Sequence, residues 1–202
     1  ETKNIESAVN KRMLSGNGAF TKMCHKYFEE SIGLKKALLT TSCTDALEMC
    51  ALLLNIHEGD EIIIPSYTFV STANAFVLRG AKIRFVDSRE DHPGMDESKL
   101  AKLINEKTKA IVPVHYAGVA CDMDIIQDLA MSHHISVIED AAQAIDSFYK
   151  GKPLGSIGDL SAMSFHETKN LISGEGGLLG INNEVYLERS EVLWEKGTNR
   201  AA

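Results

Sequence analysis

The sequence predicts an α/β fold of three layers, a mostly parallel seven-stranded sheet with helices on both faces. Short apolar runs alternate with longer stretches of helical periodicity, the pattern of strands joined by crossover helices. No low-complexity linker, internal repeat or charged tail interrupts that alternation. The 202 residues, 44 % of them hydrophobic, with 15 glycines against 4 prolines, also suffice to bury a large core without cross-links.

The elements follow in order. The first thirty residues read as two helices, and 1–32 is expected to be an N-terminal helical segment packing on the large domain, 33–202. The run Ala37-Leu38-Leu39-Thr40 is the first strand, and a helix over 44–54 follows it. Ile62-Ile63-Ile64 centres a second strand at 61–64, followed by a helix over 69–78 and a third strand at 82–86. Helices over 97–105 and 123–133 flank a strand at 110–114, and further strands fall at 135–139, 161–165 and 177–181. A last helix, 183–196, shows apolar positions at Val185, Leu187, Val192, Leu193 and Trp194. The chain has no initiator methionine and 198–202 gives no natural ending, so a fragment is expected.

Composition excludes several classes. With 21 Lys+Arg against 28 Asp+Glu the net charge is −7, and no basic stretch is denser than Lys35-Lys36 or Lys150-Gly151-Lys152. That is not the footprint of a protein for nucleic acid or anionic membranes. Apolar runs such as 51–54 and 62–64 are too short to cross a bilayer, and the first residues carry no signal-peptide core, so a cytoplasmic location is expected. Cys24, Cys43, Cys50 and Cys121 form no CxxC pair and read as buried free thiols in a reducing compartment. The seven histidines form no HxH or HxxxH pattern, so no metal is expected, and no GxGxxG or P-loop motif exists.

Chemistry is sought where the carboxyl ends of parallel strands meet loops and helix N-termini. Asp140 ends one strand, with Gln143 three residues on; it reads as a partner for a buried cation or as the cap of a following helix. Lys169 lies in a loop between two strands, beside Gly174, Gly176 and Gly177, as a buried amine or an ordinary solvated lysine. Ser42-Cys43-Thr44 opens a helix and suits either a phosphate or a simple N-cap. After Pro65, the aromatic Phe69 offers a ring at the same edge, or core packing. Together, a phosphate cradle, an aromatic face, a strand-end Asp and a loop Lys are the contacts pyridoxal 5'-phosphate requires. His166, three residues before Lys169, reads as a packed loop histidine.

These residues carry a family resemblance. Pro65-Ser66-Tyr67-Thr68-Phe69, Pro113-Val114-His115-Tyr116-Ala117-Gly118, Ile138-Glu139-Asp140-Ala141-Ala142-Gln143 and Ser164-Phe165-His166-Glu167-Thr168-Lys169-Asn170, with Gly174-Glu175-Gly176-Gly177, resemble the DegT/StrS nucleotide-sugar aminotransferases, fold-type I pyridoxal phosphate enzymes. The resemblance runs from about residue 10 to residue 200, in order and with the family's spacing. It implies Lys169 as the Schiff-base lysine, Asp140 as the partner of the pyridine nitrogen and Gln143 as the contact to the phenolic oxygen. It further implies Cys43, Thr44 and Ser164 at the phosphate and Phe69 stacked on the ring. It implies transfer of an amino group from L-glutamate to a keto-deoxy nucleotide sugar in cell-surface polysaccharide biosynthesis. It also implies a homodimer with shared active sites and a smaller C-terminal domain beyond this chain. Residues 66–81 and 195–200 resemble most those members that aminate TDP-4-keto-6-deoxy-D-glucose for enterobacterial common antigen. Two other readings stand beside this one. Sugar dehydratases of the family carry His at the lysine position, against which Lys169 argues; a non-catalytic regulatory relative would not need all four cofactor contacts.

Overall fold

The structure, a computed structural model, describes residues 1–12 and 15–198. Helices α1 (Thr2–Asn10) and α2 (Ala19–Ile32) precede β1 (Lys36–Thr40), α3 (Cys43–Leu53), β2 (Glu61–Pro65), α4 (Val70–Val77) and β3 (Lys82–Val86). Then come α5 (Leu100–Leu103), β4 (Thr108–Ile111), α6 (Met123–His133), β5 (Ser136–Asp140), the short strands β6 (Phe148–Tyr149) and β7 (Lys152–Pro153), β8 (Leu160–Ser164), β9 (Gly177–Ile181) and α7 (Leu187–Trp194). Seven strands form one sheet in the order β1-β9-β8-β5-β4-β2-β3, and only β9 runs antiparallel to its neighbours. The mostly parallel seven-stranded sheet expected from the sequence is therefore present.

Its two faces are sorted by strand periodicity. Ile62 and Ile64 of β2, with Ile138, Leu160, Leu179 and Ile181, face a cluster that takes Leu47, Cys50 and Ala51 from α3, Phe76 from α4 and Trp194 from α7. Ile63, Ile111 and Val137 point the other way, onto Leu100 of α5 and Met123, Ile126 and Ala130 of α6. Ala37, Met163 and Leu178 on that second side meet Phe28 of α2. Burying each such Ile or Leu side chain contributes about 1.5–3 kcal/mol, which explains why the central strands have no polar face.

The outer edge of β1 is closed by side chains. Leu39 donates its N–H to His25 Nε2 (2.9 Å), the Trp194 indole N–H donates to Leu39 O (2.6 Å), and Ala37 donates its N–H to Glu29 Oε1 (3.2 Å). These bonds satisfy edge groups that would otherwise invite another strand.

Three local expectations are corrected. The strand expected at 110–114 spans Thr108–Ile111, because Pro113 has no N–H to continue the ladder; Val114 pairs only through a single bridge to Asp140. The helix expected at 97–105 is one 3-10 turn, Glu97–Lys99, and the four-residue α5, after which Ile104 is extended and Asn105 donates its N–H to Thr108 Oγ1. The β6–β7 pair was not expected; Lys150 (φ 49°) and Gly151 (φ 82°) make its turn, both left-handed as a tight hairpin requires. Cys24 is exposed on α2, so not all four thiols are buried, although none is in a disulfide. No described helix is long and apolar enough to cross a membrane.

Candidate active site

The parallel strands β1, β2, β5 and β8 end along one edge of the sheet, and β9 begins there. A cavity of about 330 Å³ opens at that edge, and Cys43, Thr44, Phe69, Asp140, Gln143, Ser164 and Lys169 all line it. These residues, far apart in sequence, converge because all of them lie at or just after the carboxyl ends of four strands, β1, β2, β5 and β8.

Asp140, the last residue of β5, is buried at the cavity floor. Its Oδ2 accepts the Thr72 hydroxyl proton at 2.7 Å and its Oδ1 accepts the Ala142 N–H at 3.2 Å. Burial pushes the carboxyl pKa above its ordinary value, while Thr72, the Ala142 amide, His115 and Lys169 pull it back. Its side chain does not cap a helix: after Ala142 the chain continues through turns to Ser147. A carboxylate placed this way favours a cationic N–H partner in the cavity.

The opposite wall is the start of α3. Ser42 is its N-cap, accepting the Asp45 N–H at 3.1 Å, so the capping reading of this segment is correct as far as Ser42 goes. Cys43 and Thr44 remain on the cavity, and the Thr44 hydroxyl donates to Ser71 Oγ at 2.9 Å. The first residue of β9, Gly177, lies so close to this turn that a Cβ there would overlap Ser42 C and Cys43 N. Ser164 closes the end of β8, its Oγ accepting the His166 N–H at 3.4 Å. Free amides at a helix N-terminus with hydroxyls around them make a site for a phosphate dianion. Burial, with the nearby Asp140 charge, holds the Cys43 thiol well above the ordinary thiol range, so it stays protonated at that wall.

Phe69 is the N-cap of α4 and 71 % exposed, so its ring lies on the cavity and not in the core. Gln143 accepts the Ala117 N–H on Oε1 at 2.8 Å, which leaves its amide N–H groups free to donate. Lys169 sits in a tight turn, donating its own N–H to His166 O, and the next residue anchors the loop through Asn170 Nδ2 to Ile145 O at 2.7 Å. His166 keeps its polar contacts within its own loop, Nδ1 2.9 Å from Thr168 Oγ1 and Nε2 3.5 Å from Glu175, and it also lines the cavity, partly exposed.

Sequence reasoning missed the support beneath these residues. Thr68 and Thr72 lie 2.9 Å apart, one turn from each other at the start of α4, and that spacing was the available signal. His115 and Glu139 form a fully buried pair, Nε2 to Oε2 3.0 Å, and Glu139 also accepts the N–H groups of Gly155, Ile157 and Gly158. The pair fixes the strand end that carries Asp140. No local pattern announces it, because its partners lie 16 to 24 residues from Glu139.

The chain is similar to known proteins along its whole length. Residues 1–202 match the DegT/DnrJ/EryC1/StrS aminotransferase family. The chain is 41 % identical over 185 residues to the spore coat polysaccharide biosynthesis protein SpsC of Bacillus subtilis, covering 92 % of this chain and 48 % of that one. It is 38 % identical over 184 residues to a GDP-perosamine synthase of Caulobacter vibrioides, covering 91 % and 50 %. The crystal structure of an aminotransferase from Psychrobacter cryohalolentis superposes with a TM-score of 0.95 at 33 % identity, covering 100 % of this chain and 51 % of that one. The chain spans about half the length of the curated relatives it matches.

Proposed function

The chain belongs to the DegT/DnrJ/EryC1/StrS aminotransferase family, and on that premise we propose that it is the cofactor-binding part of a pyridoxal phosphate-dependent nucleotide-sugar aminotransferase. The observation that carries the reading is the buried Asp140 carboxylate facing a cavity walled by a helix N-terminus and Lys169.

The donor set fits the cofactor. The α3 amides at Cys43 and Thr44, with the Ser164 hydroxyl, would hold its phosphate; Phe69 would cover one face of its ring; Gln143 would donate to its phenolic oxygen; Asp140 would accept its pyridinium N–H. When bound, the cofactor carries the amino group between substrates and spreads the charge left on the adjacent carbon. Lys169 would be its covalent anchor, and its amine, when free, would move a proton at the donor's α-carbon as base and then acid. Asp140 must be ionised for that work; burial of its charge is the cost in the empty site, and the Thr72 bond offsets part of it.

L-Glutamate is the proposed amino donor and a keto-deoxy nucleotide sugar the acceptor, for use in a cell-surface polysaccharide. The resemblance of residues 66–81 and 195–200 to members that aminate TDP-4-keto-6-deoxy-D-glucose supports that sugar within the class. We also assign the protein to the cytoplasm, which its free cysteines suit, and to a homodimer whose partner and C-terminal domain complete the site. The experiment is direct: full-length protein, saturated with cofactor, is incubated with L-glutamate and TDP- or GDP-linked 4-keto-6-deoxy sugars, and products are weighed by mass spectrometry. An amino sugar is expected with at least one of them. A dehydrated product without nitrogen would instead favour the dehydratase chemistry against which Lys169 argues.

A further inference from the structure

Beyond the residues that suit the cofactor, the cavity rim carries two tyrosines that no step above uses. Tyr67 follows β2 and Tyr116 opens the turn after β4; their hydroxyls lie 3.3 Å apart, and their rings meet at 4.8 Å with a 47° tilt. Tyr116 lines the cavity, while Tyr67 is 52 % exposed and precedes the lining residues Thr68 and Phe69. A large aromatic ring left half in water beside a cavity is a candidate contact surface. The pair is also held in register with the site. Ala117 adopts φ 54°, a left-handed conformation uncommon for a residue with a side chain, and its N–H is tied to Gln143 Oε1 at 2.8 Å.

We propose that Tyr67 and Tyr116 form the platform that receives the sugar ring of the acceptor substrate. This rests on the aminotransferase reading above and names residues that select one of its two substrates. The pair suits that substrate and not the other. Glutamate brings two carboxylates, which call for guanidinium or ammonium donors, and the phenols offer no cation. A neutral deoxy sugar presents C–H faces that pack on aromatic rings and hydroxyls that pair with phenols. With the Tyr67 hydroxyl donating to Tyr116, the Tyr116 proton is left free to donate and both oxygens keep a lone pair to accept. The mutual contact also raises the Tyr67 pKa, so the platform stays uncharged beside a nucleotide diphosphate.

The two half-reactions separate this assignment from the function it rests on. In full-length holoenzyme, the glutamate half is followed by loss of cofactor absorbance and the keto-sugar half by its return. Tyr116→Phe and Tyr67→Phe keep the rings and the fold; Tyr67→Leu removes the ring. Each is expected to lower the ratio of sugar to glutamate efficiency (kcat/KM) on the order of ten-fold, the effect of one lost substrate hydrogen bond or ring contact. Nucleotide-sugar affinity of the pyridoxamine-phosphate form, measured by calorimetry, should weaken in parallel. An unaltered ratio, or an equal loss in both halves, overturns the assignment while leaving the function intact. A wild-type protein that converts neither compound overturns the function, and the platform with it.

Discussion

Thr72, in the first turn of α4, donates its hydroxyl proton to Asp140 Oδ2 across 2.7 Å, joining positions 68 residues apart in sequence. Because that proton is committed, the Thr72 oxygen accepts from Thr68 at 2.9 Å, and the chain of hydroxyls ends on the carboxylate. Thr72→Val keeps the shape and deletes the donor. Leaving one carboxylate oxygen without its partner costs roughly 1–3 kcal/mol, so cofactor affinity should fall about ten-fold or more. Titration of the cofactor-free variant with pyridoxal phosphate, read by absorbance, checks it.

Asp140 itself should trade stability against function. Burial raises its pKa, so the empty protein holds the charge at a loss, and Asp140→Asn removes the charge while keeping an acceptor for Thr72. The variant is expected to melt higher than wild type without cofactor at neutral pH. Its aminotransfer rate should drop on the order of 10²–10³-fold, the scale for losing one charge-stabilising group. Thermal melts and single-turnover rates test both halves of the statement.

Gly177 is the place where β9 touches the start of α3. A methyl group there would overlap Ser42 C and Cys43 N. Gly177→Ala should destabilise by about 1–3 kcal/mol, as overpacking does, and should displace the amides proposed to hold the phosphate. Denaturant midpoints and pyridoxal phosphate affinity should fall together. A stability loss with unchanged affinity would detach this turn from the cofactor.

His25 gives the fold a pH dependence of known sign. Desolvation by burial lowers its pKa below the ordinary 6.5, Glu29 pulls it up and Lys36 lowers it further. The neutral ring accepts the Leu39 N–H at the edge of β1. A group that binds its proton more weakly when folded contributes full stability above its unfolded pKa, and that stability is lost as pH falls from 6.5 toward the folded value. Melting temperature should therefore decline between about pH 7 and pH 5 more steeply in wild type than in His25→Gln, which keeps an acceptor and cannot titrate.

The layering of the fold was legible because it is written in contiguous runs. Ile62-Ile63-Ile64 announces a strand buried on both faces, and the structure splits those three residues between two cores. That Asp140, Ser164 and the Ser42 turn would share one cavity was legible for a related reason, since each sits where a strand stops. Features that depend on distant partners were not. Pro113 truncates β4 although Val112 and Val114 look like strand, and only the missing N–H at Pro113 distinguishes them. The His115–Glu139 pair and the Thr72 donor are ordinary residues locally, defined by contacts 24 and 68 positions away. His166 read as a loop histidine because its polar partners, Thr168 and Glu175, belong to its own loop; its place on the cavity depends on distant strand ends.

The central claim is that this cavity holds pyridoxal phosphate with Lys169 as its covalent anchor. Full-length protein incubated with the cofactor, reduced with borohydride and digested should yield a single modified peptide, the one carrying Lys169, heavier by the reduced pyridoxyl phosphate group. Lys169→Ala should yield none. Modification of a different lysine, or no modification of the wild-type protein at saturating cofactor, would contradict the account.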